Sequence, residues 1–180
     1  EFAEAIGRLR RLDNFERAEK LVMTADRLNK EHDELDGERL VVYARANTFS
    51  GRQKAIYKKL QSHSHLSDTM LQCLAIYELH NKRPDKAEKY LRTIDEHDQY
   101  DLCLLWEAQI GQKKYDIARN GIKQYLKNEP DFFPAWLFLA RIVKNRSPTA
   151  ACRQAARRRN ALPLLSYSLL LAPFLSDCWR

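Results

Sequence analysis

Two short clusters in the sequence contain residue types that bind metals or exchange protons. In the first, His63, Ser64 and His65 precede Asp68, and imidazole and carboxylate groups are common metal ligands. Two imidazoles two residues apart still need a third and a fourth ligand, and polar segments of this kind commonly join helices. The pattern therefore favours a polar loop over a metal site.

The second cluster is Asp95, Glu96, His97 and Asp98, which could imitate an acid and base pair. Catalytic partners have to converge in a pocket that shifts their pKa values, whereas this run falls in an expected turn between helices. The sequence contains no glycine-rich phosphate loop, nucleophile elbow or zinc-protease helix signature. We therefore expect no enzyme activity, no catalytic residue and neither a metal nor another cofactor.

The basic residues are unevenly distributed. Net charge is +7, but residues 1–60 carry 13 basic and 11 acidic side chains, residues 61–130 carry 10 and 11, and residues 131–180 carry 8 and 2. The one dense patch runs from Arg153 to Arg159, where helical spacing would bring Arg153 and Arg157 together. A solvated face is favoured there, with an RNA-associated helical repeat protein as the alternative function.

The four cysteines indicate a reducing compartment. Cys73, Cys103, Cys152 and Cys178 lie 30, 49 and 26 residues apart, so no close pair of the zinc or redox type occurs. We expect mostly buried thiols in a cytoplasmic protein. The chain starts at Glu1 rather than Met, so we also expect that a segment precedes it.

Helix is the dominant local signal, because only five Gly and six Pro interrupt 180 residues and no long stretch alternates between apolar and polar. The fold class that we predict is all-α. The predicted helices cover residues 2–11, 14–29, 35–48, 52–61, 67–80, 84–94, 100–112, 115–127, 133–145 and 148–160.

A repeat runs through these helices. A small residue recurs one turn into every second helix, at spacings of 37, 32, 31 and 34, and the positions are Ala18, Ala55, Ala87, Ala118 and Cys152. Four residues after the first four of them come Val22, Lys59, Leu91 and Ile122. Since residues i and i+4 share a helix face, each small residue lets a neighbouring helix approach while the larger one fills the gap.

Residues 115–140 match one known pattern in fixed register, at Tyr115, Ala118, Pro130, Trp136, Leu139 and Ala140. These residues resemble the tetratricopeptide repeat family, whose unit is a pair of antiparallel helices. Earlier units match more loosely, at Phe15, Ala18, Val22 and Ala25, at Leu40, Tyr43, Ala44 and Gly51, and at Leu71, Leu74 and Ala75. The resemblance extends over residues 1 to about 160.

The resemblance implies a superhelix of about five helix pairs over residues 1–160, in which the first helix of each pair contacts a partner. The matched positions are Thr69, Gln72, Ile76, Leu79, Tyr100, Cys103, Glu107, Ile110, Leu137, Arg141 and Lys144. We expect a scaffold or adaptor that binds a peptide or an amphipathic helix in a concave groove centred on residues 72–110. A bacterial secretion chaperone and a regulator-linked sensor domain share this architecture and remain alternatives.

Residues 161–180 differ from the rest of the chain, since residues 162–175 are apolar on nearly every side. A cap on the last repeat or a contact with a second copy in a homo-oligomer is the favoured interpretation. About 20 apolar residues are needed to span a membrane, and this run has 14 with two prolines, so an anchor is disfavoured. An unrelated added sequence is the third alternative.

Overall fold

The computed structural model describes residues 1–30 and 32–146, and these residues form nine α-helices and no strand. The all-α prediction is confirmed over this part of the chain. The helices are α1 Phe2–Arg11, α2 Phe15–Arg27, α3 Asp33–Arg45, α4 Ser50–Gln61, α5 Asp68–His80, α6 Pro84–Leu91, α7 Gln99–Gly111, α8 Tyr115–Asn128 and α9 Phe133–Arg146.

The first nine predicted helices are confirmed, and every predicted end lies within three residues of the observed one. The starts follow from local chemistry: the Asn14 side chain accepts from the Arg17 amide, the Ser67 hydroxyl accepts from the Met70 amide, and Pro84 occupies the first turn of α6. The tenth predicted helix, the basic patch and residues 161–180 lie outside the described residues.

The turns from odd-numbered to even-numbered helices share one conformation. Asp13, Asn47, Lys82 and Lys113, which lie 31 to 35 residues apart, all have φ between 52° and 61°. At each turn two backbone amides return to the end of the preceding helix; at Lys82, for example, its amide donates to Leu79 O at 3.0 Å and the Arg83 amide donates to Glu78 O at 2.9 Å. This is the Schellman arrangement, and it recurs without a glycine.

The helices belong to two compact units, one comprising residues 1–105 and the other beginning at Trp106. In the first unit α1 packs on α2 and α3, α3 packs on α4 and α5, and α5 packs on α6. Successive helix pairs thus contact each other mainly through their odd-numbered helices. The buried side chains of this unit include Ile6, Val22, Leu40, Leu60 and Leu74.

In the second unit aromatic rings form the core around Trp106. Its ring lies 5.7 Å from that of Tyr125 and 5.8 Å from that of Phe138, both edge-on, and Tyr125 in turn meets Phe132 at 5.3 Å. Such edge-to-face geometry brings the positive edge of one ring to the negative face of the next. Within the described residues, none of the helices is long and apolar enough to cross a lipid bilayer.

The small residue of the repeat is buried in three of the four described helix pairs. Ala18, Ala87 and Ala118 have no exposed surface, but Ala55 is exposed, so the prediction that Ala55 faces a neighbouring helix is wrong. The reason is register: in α4 it is Leu60 that is fully buried, with the partly buried Ile56 packed near it, which turns Ala55 toward solvent.

This register predicts different outcomes for one substitution at two sites. Ala87→Leu should lower the free energy of unfolding by about 1–3 kcal/mol, because the added atoms have no space between packed helices. Ala55→Leu should change it by less than about 0.5 kcal/mol. Urea denaturation of both variants measures the difference, and equal losses would contradict the assigned register.

The left-handed turns make a second prediction. Lys82→Gly should raise the free energy of unfolding by about 0.5–1 kcal/mol, since glycine adopts φ near 60° without the steric cost that lysine carries. The control is Lys86→Gly, at an exposed site inside α6, which should lose about 1 kcal/mol. Thermal and urea unfolding should give opposite signs for the two variants; a loss at both would rule out the turn geometry.

Candidate functional site

A buried ion pair joins α1 to α3. The Nε of Arg10 donates to Glu38 Oε2 at 2.8 Å, and its Nη2 donates to Glu38 Oε1 at 3.1 Å. The two side chains are 2% and 1% exposed. A guanidinium holding a carboxylate through two parallel bonds is the geometry that best compensates two charges removed from water.

Further hydrogen bonds connect this ion pair to α5 and α7. Nη2 of Arg10 also donates to Gln72 Oε1 at 3.0 Å, and Nη1 donates to the Tyr100 hydroxyl at 3.2 Å. The amide group of Gln72 then donates to Asp101 Oδ1 at 2.6 Å. One continuous network therefore connects the four odd-numbered helices of the first unit, and we call Arg10, Glu38, Gln72, Tyr100 and Asp101 the polar network.

Two aspartates, Asp98 and Asp101, cap the start of α7. The Asp101 amide donates to Asp98 Oδ1 at 2.8 Å, and the Asp98 amide donates to Asp101 Oδ2 at 3.3 Å, which is a reciprocal cap. Arg11 Nη1 donates to Asp98 Oδ2 at 3.0 Å, and the Arg11 guanidinium lies 5.5 Å from the centre of the Tyr100 ring. Of the two consecutive arginines of α1, Arg11 thus contacts the cap of α7 and Arg10 contacts its first turn.

Burial and neighbouring charges shift the pKa values of several groups in and beside the network. Burial is the largest single effect and lowers the pKa of Arg10, but its interactions with Glu38 and the neighbouring groups together exceed it, so the pKa is raised well above its ordinary value. Burial raises the pKa of Asp101 even though Gln72 donates to it, and burial together with Glu38 raises the pKa of the Cys73 thiol. Arg10 therefore stays charged, and Cys73 stays a protonated thiol at neutral pH.

Two helical glycines make room for these contacts. A Cβ on Gly7 of α1 would lie 2.9 Å from Glu38 Oε1, closer than real Cβ atoms come. A Cβ on Gly37 of α3 would lie 3.3 Å from the Cβ of Cys73 on α5. Both glycines therefore permit the close approach of one odd-numbered helix to the next.

An open cleft of about 920 Å³ lies against the network on the side of α1, α3 and the start of α5. Apolar atoms of Phe2, Ala3 and Leu35 contribute to it beside charged groups of both signs. The lining residues are Glu1, Phe2, Ala3, Glu4, Gly7, Arg8, Arg11, Lys30, His32, Glu34, Leu35, Glu38 and Thr69.

The residues predicted to contact a partner are divided between the two units and differ in exposure. Thr69 is exposed and lines the cleft, whereas Gln72 is buried in the polar network. Cys103 and Ile110 are buried as well, and Lys144 is exposed. The remaining predicted positions are partly buried: Ile76, Leu79, Tyr100, Glu107, Leu137 and Arg141.

In the second unit two of the predicted contact residues bind each other. Arg141 on α9 holds the Glu107 carboxylate on α7 with both terminal nitrogens, and Nη2 lies 2.7 Å from Oε1. A partner that used either side chain would have to replace this internal pair. Both side chains are partly buried, so breaking the pair would leave each of the two charges without its counter-charge.

The two polar clusters of the sequence lie between helices, as the loop interpretation predicts. Residues 62–67 join α4 to α5, and His63 Nε2 is 3.4 Å from an Asp33 oxygen. Residues 92–98 join α6 to α7, where Asp98 acts as a cap. No group of three or more His, Cys, Asp or Glu side chains in the described part of the chain is arranged to hold a metal ion.

Searches against protein-family models, curated proteins and solved structures found no match for this chain. The resemblance to tetratricopeptide repeats stays a prediction from the residues quoted above.

Sequence reasoning missed Arg10, Arg11, Glu38 and Asp101. Each lies among ordinary polar residues along the chain, and its partners beyond its own helix and cap lie 28 to 90 residues away. One available signal was glycine, because Gly7 falls inside a predicted helix, where glycine is unfavourable unless something approaches closely.

The ion pair predicts strongly non-additive mutations. Arg10→Met leaves the Glu38 carboxylate buried without its counter-charge and should cost about 3–5 kcal/mol of unfolding free energy. Arg10→Met combined with Glu38→Met removes both charges and should recover at least about 2 kcal/mol of that loss. Urea denaturation measures Arg10→Met, Glu38→Met and the double variant. A double variant as unstable as the sum of the two single losses would show that the pair is not coupled.

Proposed function

We propose that this chain is a non-enzymatic scaffold that binds a segment of another protein on the odd-numbered helices of its first unit. The observation that carries the proposal is the cleft beside the polar network, to which α1, α3 and α5 all contribute. A surface built from several consecutive helix pairs is the way in which helical repeat proteins present a binding face.

The composition of the cleft favours a peptide segment as its ligand. Phe2 is partly buried and offers apolar surface, while Glu34 and Lys30 contribute opposite charges to the lining. A segment with alternating apolar and charged side chains complements such a lining, because its apolar groups leave water and its charges stay at the edge. Glu4 and Arg8 are paired with each other along α1 and are more than half exposed, so they can reorient toward a ligand.

The predicted contact residues on α5 support a binding surface that extends from the cleft along this helix. Thr69 is accessible at the cleft, and Ile76 and Leu79 continue along α5 with part of their surfaces exposed. Gln72 lies between them in sequence but is engaged in the polar network. The proposed contact surface therefore runs from the cleft along α5 around Gln72.

Two related proposals keep the same binding chemistry. A secretion-type chaperone or a regulator-linked sensor domain would use the same face with different partners. The RNA alternative depends on basic residues that lie outside the described part of the chain, and no observation on the described helices favours it.

A bulky substitution in the cleft tests the proposal. Thr69→Trp fills an exposed position of the lining and should remove most of the capture of a specific partner from an extract of the native source. The matched control is Thr24→Trp on α2, which is also exposed and does not line the cleft. Quantitative mass spectrometry of material captured on the tagged wild type and on both variants gives the comparison.

The expected pattern is at least one protein retained by the wild type and by Thr24→Trp but reduced about tenfold or more by Thr69→Trp, the loss expected when roughly 1.4 kcal/mol of binding free energy is removed. Circular dichroism should show that both variants keep the helical content of the wild type. Identical capture profiles for all three proteins would refute the cleft as the binding surface.

A further inference from the structure

Three basic side chains lie together where α3 and α5 end. Arg45 is the last residue of α3, His80 is the last residue of α5, and Lys82 follows in the turn to α6. All three are exposed, and within the described residues none of them forms an ion pair with a carboxylate. We call Arg45, His80 and Lys82 the basic cluster.

The packing of α3 on α5 brings the ends of these two helices to one level. A Cβ on Gly37 of α3 would lie 3.3 Å from the Cβ of Cys73 on α5, so these two positions are adjacent. Arg45 ends α3 eight residues after Gly37. His80 ends α5 seven residues after Cys73, and at about 1.5 Å per residue the two ends are level.

The charges of the basic cluster act on one another. Partial burial is the largest effect on the His80 imidazole and lowers its pKa, and the positive charges of Arg45 and Lys82 lower the pKa further. No carboxylate in the described part of the chain opposes this effect. Glu78 is fully buried and binds Arg83 instead, with 2.6 Å between Oε2 and Nε. The cluster therefore carries positive charge that the helices leave unneutralised.

Local effects explain the members of the cluster only singly. A helix dipole favours a basic group at the end of its helix by about 0.3–1 kcal/mol. It gives no reason for basic groups from two helices to converge, because these charges repel one another. Lys82 has in addition a φ of 60°, which lysine adopts at a steric cost. Residues 39–67 contain neither Asp nor Glu, so Arg45 also lacks an acidic neighbour along the chain.

The basic cluster lies at the far end of the proposed binding surface. That surface starts at the cleft with Thr69 and continues along α5 through Ile76 and Leu79. His80 follows Thr69 by eleven residues, which is close to three helical turns, so both side chains leave α5 in nearly the same direction. They are roughly 16 Å apart along the helix, a distance that about five residues of an extended segment span.

The rest of this surface favours an acidic stretch of protein over a nucleic acid as the ligand of the cluster. Glu34 lines the cleft, and Asp68 is exposed at the start of α5. A nucleic acid carries negative charge along its whole length, so these carboxylates would repel part of it. A protein segment can carry its carboxylates at one end only, which gives charge complementarity with the cluster alone.

We propose that the basic cluster binds the carboxylate side chains of an acidic stretch in the partner segment, roughly 16 Å from the part of that segment that the cleft holds. The inference rests on the proposed function, since the cluster is one end of the same surface. The Arg45 guanidinium can offer a carboxylate two parallel donors, and the Lys82 ammonium adds a second charge. A carboxylate bound there also stabilises the protonated form of His80, which therefore reports occupancy.

The first part of the test measures the pKa of the His80 imidazole by NMR in the full chain, with its signal assigned by its absence from His80→Gln. Arg45→Gln and Lys82→Gln should each raise this pKa, because each removes a positive neighbour. The matched control is Lys54→Gln, at an exposed position of α4, which should leave it unchanged. An unchanged pKa in both Arg45→Gln and Lys82→Gln would overturn the convergence of the three groups.

The second part measures binding of a blocked hexaglutamate peptide, with blocked hexaglutamine as its neutral counterpart. Hexaglutamate should raise the pKa of His80 more than that of any other histidine, and hexaglutamine should leave it unchanged. The dissociation constant from this titration should increase roughly two- to fivefold in Arg45→Gln and in Lys82→Gln, as expected for exposed charge pairs. It should stay constant in Lys54→Gln, and circular dichroism should show equal helical content in all variants.

Three results would overturn the proposal. The first is equal affinity for hexaglutamate in the wild type, Arg45→Gln and Lys82→Gln. The second is an equal rise of the His80 pKa in sodium chloride of the same ionic strength, which would show charge screening only. The third is tighter binding of an oligothymidylate of equal charge, which would assign the cluster to nucleic acid. Thr69→Trp should bind hexaglutamate like the wild type, so failure of this proposal is distinguishable from failure of the capture experiment.

Discussion

The buried pair of Arg10 and Glu38 is the constraint on which the first unit depends. Moving a guanidinium and a carboxylate out of water is costly, and the cost is offset only if every donor and acceptor finds a partner. Here Glu38 accepts two bonds from Arg10, and the guanidinium also donates to Gln72 and to Tyr100. Because these partners lie on three other helices, the register of α1, α3, α5 and the start of α7 is fixed by one polar arrangement, and apolar packing can then complete the core around it.

The same requirement limits what the proposed binding face can offer a partner. Groups that a sequence pattern assigns to a partner are already bonded within the chain: Gln72 to Arg10 and Asp101, and Glu107 to Arg141 in the second unit. Exchanging such a bond for one to a ligand brings little net free energy, since a bond is lost for each one made. Affinity has to come from surface that is still exposed to water, which in the first unit means the cleft beside α1 and the exposed parts of α5.

The repeat is carried by the backbone more regularly than by the side chains. Four turns adopt the left-handed conformation at intervals of 31 to 35 residues, although Asp, Asn and two Lys occupy them rather than glycine. The small residue of the second helix is buried at Ala18, Ala87 and Ala118 but not at Ala55, where α4 buries Leu60 instead. Each helix pair must keep a turn that ends its first helix and a face that packs on the next helix. Different side chains can meet both requirements.

The sequence by itself determined the helices, because caps, prolines and side-chain spacing act through neighbours three or four positions apart. Nine segments were predicted with ends correct to within three residues. It also placed His63 and Asp98 correctly in connections between helices. Only the tertiary structure decided that Arg10 meets Glu38 and that Gln72 faces inward, because these contacts join residues 28 and 62 positions apart, and a charged side chain has the same local sequence signature whether it faces water or a buried partner. Which side chains stay accessible on the proposed binding face is for that reason a property of the packed helices.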